Sequence, residues 1–408
     1  MHVVFIEPSF PANQREFVRA LTEVGARVSG IGEAPVQALS DDLKQWLSNY
    51  EQVSSVTHGP SLQAAVERIQ GREWVDRLEV TVEAHIMPVA QVREACSIPG
   101  TSTRTAWLCR DKPAMKEALR EADIATAQSS GVDSVDEANA FATKVGYPLI
   151  VKPRDGAGAS GTHRVDDQTA LEKALMECGV GQGASVAMEE FVEGHEGFWD
   201  TLTVQGEVAH EFVSHYYPGV LEAMRTRWIS PQIVTTNAVE SDTYDEVKAM
   251  GRKVIAALGI ETAPTHMEWF FGPKGLRFSE IGCRPPGVRV WDLYGAANDL
   301  DLYREWAQLL VHGHTPARAS RKYAAGMIAL RPSCDGVISG YDGVEQVQHD
   351  YQGEILDAHF PPPGSATQPV EAGYMAGPWM RLRHPDYDRL REIMDDVGRR
   401  IAVHAQEA

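Results

Sequence analysis

The chain has 408 residues, room for roughly two to four domains, and its 43% hydrophobic and 23% charged content is that of an ordinary globular protein. With 57 acidic against 38 basic residues it carries a formal charge of −19, which repels a phosphate backbone and excludes nucleic acid as a partner class. No run approaches the ~18 apolar residues of a membrane span, the N-terminus has no basic flank or cleavage site for secretion, and five cysteines without a CxxC pair argue against a disulfide framework or zinc cluster; the expectation is a cytoplasmic protein with reduced cysteines.

In chain order, "HVVFIE" reads as a strand and "REFVRALTEVGARVSGIG" as a helix with Phe17, Val18, Leu21 and Val24 on one face, a stop at Gly25 and a second strand. Helices near "LQAAVERIQG" and "VAQVREACSIPG" complete an N-terminal α/β domain over 1–110. "RDKPAMKEALREADI" opens a compact α+β lid over 111–187: strand "PLIVK", a glycine loop, a returning strand "THRV", and a helix from about Asp167 with Leu171, Ala174, Leu175 and Cys178 on one face. Then "SVAMEEFV", "FWDTLTV" and "EVAHEFVSHYY" predict antiparallel sheet, the last two joined at Gln205-Gly206. Thr243 and Glu246 read as a capping box for a helix ending at Gly259. A hairpin and the helix "DLYREWAQLLVHG" finish a unit over 188–318, and an α/β module follows over 319–408.

Three stretches could carry chemistry. Gly156-x-Gly158-x-x-Gly161 follows a strand, but a strand rather than a helix comes next, which removes the dinucleotide fingerprint, and Thr162-His163 removes the P-loop. The loop either folds over phosphates with Lys152 beside it or is a plain hairpin tip. "MEEFVEGHE" either offers the backbone of Glu190 and Val192 to an adenine edge, with Glu196 on a ribose, or is an edge strand with solvated acids.

The third stretch is the hairpin holding Glu268 and Glu280. A three-residue turn Pro273-Lys274-Gly275 would pair Gly272 with Leu276 and set the two carboxylates opposite each other, whereas a four-residue turn would separate them. The odd-numbered turn is predicted, with Gly275 at positive φ. Facing like charges call for a cation between them, and Mg2+ suits two carboxylates plus phosphate oxygens. Arg284, stiffened by Pro285-Pro286, could hold an anion nearby; the alternative is an exposed charge pair and a surface arginine.

In order and spacing, "RDK", "IVKP" with its glycine loop, "EEFVEGHE", "MEWFF" and "EIGCRPPG" resemble the ATP-grasp superfamily, in particular its carboxylate-amine ligases, including the branch that joins amino acids into dipeptides. The resemblance implies an ATP-grasp fold, α/β and α+β: a Rossmann-like pre-ATP-grasp domain, a lid subdomain and an antiparallel-sheet catalytic domain. It implies that Lys112 and Lys152 contact the ATP phosphates and that the mobile loop, with Gly156, Gly158, Ser160 and Gly161, closes over them. Glu189, Glu190, Phe191 and Val192 would bind adenine, Glu196 the ribose, and Glu268 and Glu280 would bind Mg2+, with Mn2+ as a substitute. Arg284, Lys152 and Ser160 would serve catalysis. Gly282 stands where many relatives have a metal-binding asparagine, leaving open whether one or two ions are held. The implied reaction passes the γ-phosphate to a carboxylate and then lets an amine displace it, giving an amide, ADP and phosphate. The partners would be small-molecule acid and amine substrates, no nucleic acid and no membrane, with a homodimer as one permitted assembly. A phosphotransferase or carboxylase-like enzyme and a non-catalytic nucleotide-binding module are the alternatives. Arg225 and Arg227 are the favoured grips for a substrate carboxylate, while His163, His266, Tyr216, Trp269 and Trp291 are read as packing or surface residues.

Overall fold

The computed structural model describes residues 1–154, 161–375 and 377–407. The N-terminal layer is a parallel sheet of β1 (His2–Ile6), β2 (Arg27–Gly32), β3 (Leu47–Gln52) and β4 (Arg77–Glu79) in the order β3-β2-β1-β4. All five β1 residues are buried, as a strand covered on both faces requires. The helix Gln14–Glu23 packs Phe17, Val18 and Leu21 on one side, and the helices Gly59–Gln70 and Glu83–Ala95 cover the other. Phe17 joins this layer to the rest of the molecule, its ring lying 5.3 Å from Trp291, 4.9 Å from Tyr303 and 5.1 Å from Trp306; Trp291 is thus a packing residue, as expected.

The second layer contains β5 (Ser129–Val132), β6 (Leu149–Pro153), β7 (His163–Val165) and β8 (Val186–Glu190), ordered β5-β8-β6-β7, with the helices Lys112–Glu121, Val135–Val145 and Gln168–Glu177. β7 returns antiparallel to β6, His163 opposite Val151, and Asp167 caps the following helix by accepting from the Ala170 amide at 2.8 Å. The boundary expected after residue 187 falls inside β8, which belongs to this sheet through Glu190.

The remaining strands are β9 (His195–Val204), β10 (Glu207–Tyr217), β11 (Gln232–Thr235), β12 (Ala263–Gly272), β13 (Gly275–Gly282), β14 (Ala324–Ala329), β15 (Val337–Asp342), β16 (Ile355–His359), β17 (Trp379–His384) and β18 (Ala402–Gln406). Eight of them form one sheet, β13-β12-β9-β10-β11-β14-β17-β16, while β15 and β18 pair separately. The stretch after 319 shares this sheet: β14 hydrogen-bonds along β11, Gln232 opposite Ile328. The β9–β10 turn has Gln205 and Gly206 at φ 51° and 83°, the primed geometry that matches strand twist. The capping box does not form. Thr243 lies inside a 3-10 turn, Asp242–Tyr244, and the helix Asp245–Leu258 begins after Tyr244 with no side-chain cap, though it ends as expected at Gly259 with φ 66°. Among the described residues no helix is long and apolar enough to cross a membrane.

The decisive hairpin differs from its prediction in mechanism and agrees in outcome. Gly272 pairs with Gly275 across a two-residue turn, Pro273-Lys274, with Gly275 at φ 72° as expected. Uninterrupted, that register would set Ser279 opposite Glu268 and turn Glu280 to the far face. A β-bulge between Trp269 and Glu268 absorbs Ser279, and Glu280 comes to stand opposite Glu268.

Candidate active site

A cleft of about 850 Å³ opens between the lid sheet and the β12–β13 hairpin. Pro148 and Ile150 from the lid and Phe270 and Phe278 from the hairpin give it apolar walls, which suit a flat heterocycle. Across the mouth the hairpin tip is tied to the lid, since Lys274 donates to Glu190, which also accepts from the Gln128 amide at 3.0 Å. The Glu190 side chain thus holds the two lobes together along the cleft wall. Phe191 donates its amide to the Pro148 carbonyl at 3.2 Å and stacks under Arg164 at 4.3 Å; Val192 lines the cleft beside it.

Deeper in, Glu189 sits between two lysines, Lys116 Nζ 2.5 Å from Oε1 and Lys152 Nζ 2.9 Å from Oε2. All three are buried. Burial opposes the Glu189 charge, but Lys116 and Lys152 outweigh it and hold the carboxyl down to about 2. Burial dominates at Lys116, pushing it down to about 8 against the pull of Glu189. Close as Lys116 is, its geometry leaves Oε1 without an aligned hydrogen bond. A buried acceptor short of a donor beside an apolar slot fits the exocyclic amine of a purine. Lys116 was missed from sequence, although it lies one helical turn beyond Lys112 in "KPAMK" and shares its face.

Lys112 reaches the Glu280 carboxylate, which borders the cleft. It flanks a separate cavity of about 20 Å³ with Glu83, Arg110, His266, Glu280 and Arg284, its Nζ 3.6 Å from Glu280 Oε2. Gly156, Gly158 and Ser160 lie outside the described residues; Gly161 ends the loop at φ 68°. Glu196 accepts from the Val220 amide at 2.7 Å and so anchors the segment that carries Leu221 and Arg225 along the cleft. Burial, reinforced by Glu268, pushes its carboxyl up to about 8.

At the far end Glu268 accepts from Tyr216 at 3.3 Å and lies 3.4 Å from His266 Nε2, whose Nδ1 is 2.7 Å from Asp200. Tyr294 donates to the other Asp200 oxygen. Burial disfavours charge on His266, yet Asp200 and Glu268 win and push its pKa up to about 9. His266 and Tyr216 are therefore not the packing residues expected: they orient one carboxylate of the facing pair. Among the described residues no cluster of three His, Cys, Asp or Glu could hold a metal by itself. Two opposed carboxylates fit the other arrangement, a hard cation completed by substrate oxygens and water.

Arg284 donates its Nε to Glu83 Oε2 at 2.7 Å, and Arg110 binds the Glu83 carbonyl. The N-terminal domain thus reaches the site through Glu83, which nothing in "VEAHIM" separated from an ordinary first-turn acid. Arg225 lines the cleft, exposed. Arg227 turns away to Asp335 at 2.6 Å. His163 lies 3.6 Å from Glu177 in the lid, and Trp269 is a buried back-face residue.

Comparison with known proteins agrees with this architecture. Residues 117–297 match the ATP-grasp domain family. The L-arginine-specific L-amino acid ligase of Bacillus subtilis is 28% identical over 244 residues, 58% of each chain. The alanine–anticapsin ligase of the same organism is 23% identical over 228 residues, 50% of this chain and 47% of that one. The chain thus spans about half the length of these curated relatives. Among solved structures, an L-amino acid ligase from Bacillus licheniformis superposes with a TM-score of 0.78 at 17% identity, covering 100% of this chain and 99% of its own. Phosphoribosylglycinamide synthetase from Anaerococcus prevotii follows at 0.71 and 14%, with 99% of both chains covered. At such identities the likeness is one of fold.

Proposed function

We propose, from the premise that this chain carries an ATP-grasp domain over residues 117–297, that it is an ATP-dependent carboxylate-amine ligase. It would join a small carboxylic acid, an amino acid above all, to an amine through an acyl phosphate, releasing ADP and phosphate. The observation that carries the reading is the convergence of the facing pair Glu268 and Glu280 with Arg284 and the Lys116–Glu189–Lys152 group around one cleft system. The curated relatives named above, both amino-acid ligases, support the same class.

In this reading the apolar slot takes adenine, Glu189 Oε1 accepts from its amine, and Glu196 serves the ribose. Lys152 and Lys112 face the phosphates, and Gly156, Gly158, Ser160 and Gly161 belong to the loop that closes over them. Glu268 and Glu280 would hold Mg2+, which would supply positive charge for the transferred phosphoryl group. Arg284 leaves Glu83 to steady the acyl phosphate, while the segment tied to Glu196 and the lid exclude the water that would hydrolyse it. The division of labour is a substrate-contributing domain over 1–110, a lid from 111 that runs through β8 to Glu190, a catalytic unit from there to 318 and the C-terminal continuation over 319–408. We place the enzyme in the cytoplasm, acting on small molecules.

The test is a product assay over pairs of amino acids with ATP and Mg2+. ADP and phosphate released only when acid and amine are both present, with the amide seen by mass, is the expected result. AMP and pyrophosphate, or phosphate release indifferent to the amine, would overturn it.

A further inference from the structure

Two of the five cysteines touch. The Cys109 and Cys283 sulfurs are 3.3 Å apart across a sequence separation of 174 residues, both thiols are free, and both are buried. Their positions matter more than their distance. Cys109 ends the helix Thr103–Leu108, three residues before Lys112, and Cys283 sits in the turn between Glu280 and Arg284. Cys109 also lines the cavity of about 20 Å³ that Arg284, Glu280, His266 and Lys112 surround, a space on the scale of one water-sized molecule.

We propose that Cys109 and Cys283 are an oxidisable pair whose intramolecular disulfide arrests the site by displacing Arg284 and Glu280. The oxidant is hydrogen peroxide, and Cys109 is the thiol that borders the adjoining cavity. One thiol is oxidised to a sulfenic acid as the peroxide O–O bond breaks and water leaves. The second thiol attacks that sulfur, the S–S bond forms, and a second water departs carrying the displaced hydroxyl. Two thiols have then lost two electrons and two protons to one peroxide. An S–S bond is about 2.05 Å long, so closure draws the sulfurs together by roughly 1.3 Å from their 3.3 Å separation. One neighbour of Cys283 is Arg284 itself, and a misplacement of about 1 Å at a reacting centre costs around a hundredfold in rate. The facing thiol and burial hold the Cys109 pKa well above its ordinary value. A thiol held protonated reacts slowly, so the disulfide reports sustained rather than momentary exposure to peroxide.

The effect on turnover rests on the ligase reading; the bond itself does not, and the experiment separates them. The full-length protein is treated with hydrogen peroxide, alkylated and digested with trypsin without reduction. The expected product is the peptide "TAWLCR" joined to "FSEIGCRPPGVR", two hydrogens lighter than the sum of the parts. ATP-dependent phosphate release should fall about a hundredfold and return with dithiothreitol, which does not reverse methionine oxidation. Cys109→Ser and Cys283→Ser should each keep their own activity through the same treatment. If no ligase activity exists to follow, the shift in Tm that ATP and Mg2+ produce is read in its place. Alkylation of both thiols after peroxide, a disulfide that leaves turnover and nucleotide response intact, or equal losses in the serine variants would each overturn the proposal. The wild-type peptide map decides even if a variant does not fold.

Discussion

The two ends of the cleft handle buried charge in opposite ways. At the lid end Glu189 is matched by lysines on both of its oxygens, so its charge is balanced without a ligand. At the hairpin end Glu268 and Glu280 face one another, and the charge of Glu268 helps to raise the Glu196 pKa. The cations there are shared: Lys112 reaches Glu280 at 3.6 Å, His266 divides itself between Glu268 and Asp200, and Arg284 is engaged by Glu83. One end is a preformed cradle with a cation on each acid oxygen, and the other is a facing acid pair whose counter-charge is divided among several acids, an arrangement that suits a divalent ion completed by substrate oxygens.

The sharpest way to break this contrast is to neutralise the facing acid pair. Glu280→Gln and Glu268→Gln should each lower ligase turnover about a thousandfold, measured as amine-dependent phosphate release; a loss under tenfold would remove the pair from the mechanism. Arg284→Met comes next, with a loss of about 10²–10³ in kcat while ATP affinity by calorimetry stays within a few-fold. At the lid end Lys116→Met should chiefly raise the KM for ATP. It should cost about 1–3 kcal/mol in denaturant titrations, less than the ~3–5 of an isolated buried pair, because Lys152 still holds Glu189.

The smallest effects are in pH, and the two ends should respond with opposite sign. Glu189 is held down to about 2, so the stability it contributes is present above the ordinary carboxylate value and is lost as pH falls toward 2. Glu196 is pushed up to about 8. Its folded form binds a proton the unfolded chain has released, so stability declines as pH rises from the ordinary carboxylate range to about 8. Thermal melts across each window should show those slopes in the wild type, with the first flattened in Glu189→Gln and the second in Glu196→Gln. Mg2+ with ATP should also shrink the second.

Why some of this was legible follows from range. Alternation and turn residues are local, so the elements, the β7 return and the positive φ of Gly275 could be read. The facing of Glu268 and Glu280 was also read, though through the wrong turn length: the bulge that corrects the register involves Ser279, whose side chain advertises nothing. Lys116 was within reach of helical periodicity and was passed over because Lys112 matched a motif. The His266–Asp200 and Arg284–Glu83 pairs join residues 66 and 201 positions apart; only tertiary structure brings them together. Thr243 failed as a cap because a 3-10 turn displaced the helix start, a choice that tertiary packing makes and propensity does not.

The pairing of β11 with β14 also limits how this protein can be taken apart. A fragment trimmed after residue 318 would retain every side chain assigned to the cleft, yet it would bare a row of backbone donors and acceptors along β11. Such a flank recruits other chains, so the expected fate of the shortened protein is precipitation. Anyone transplanting this catalytic unit must carry the tail with it.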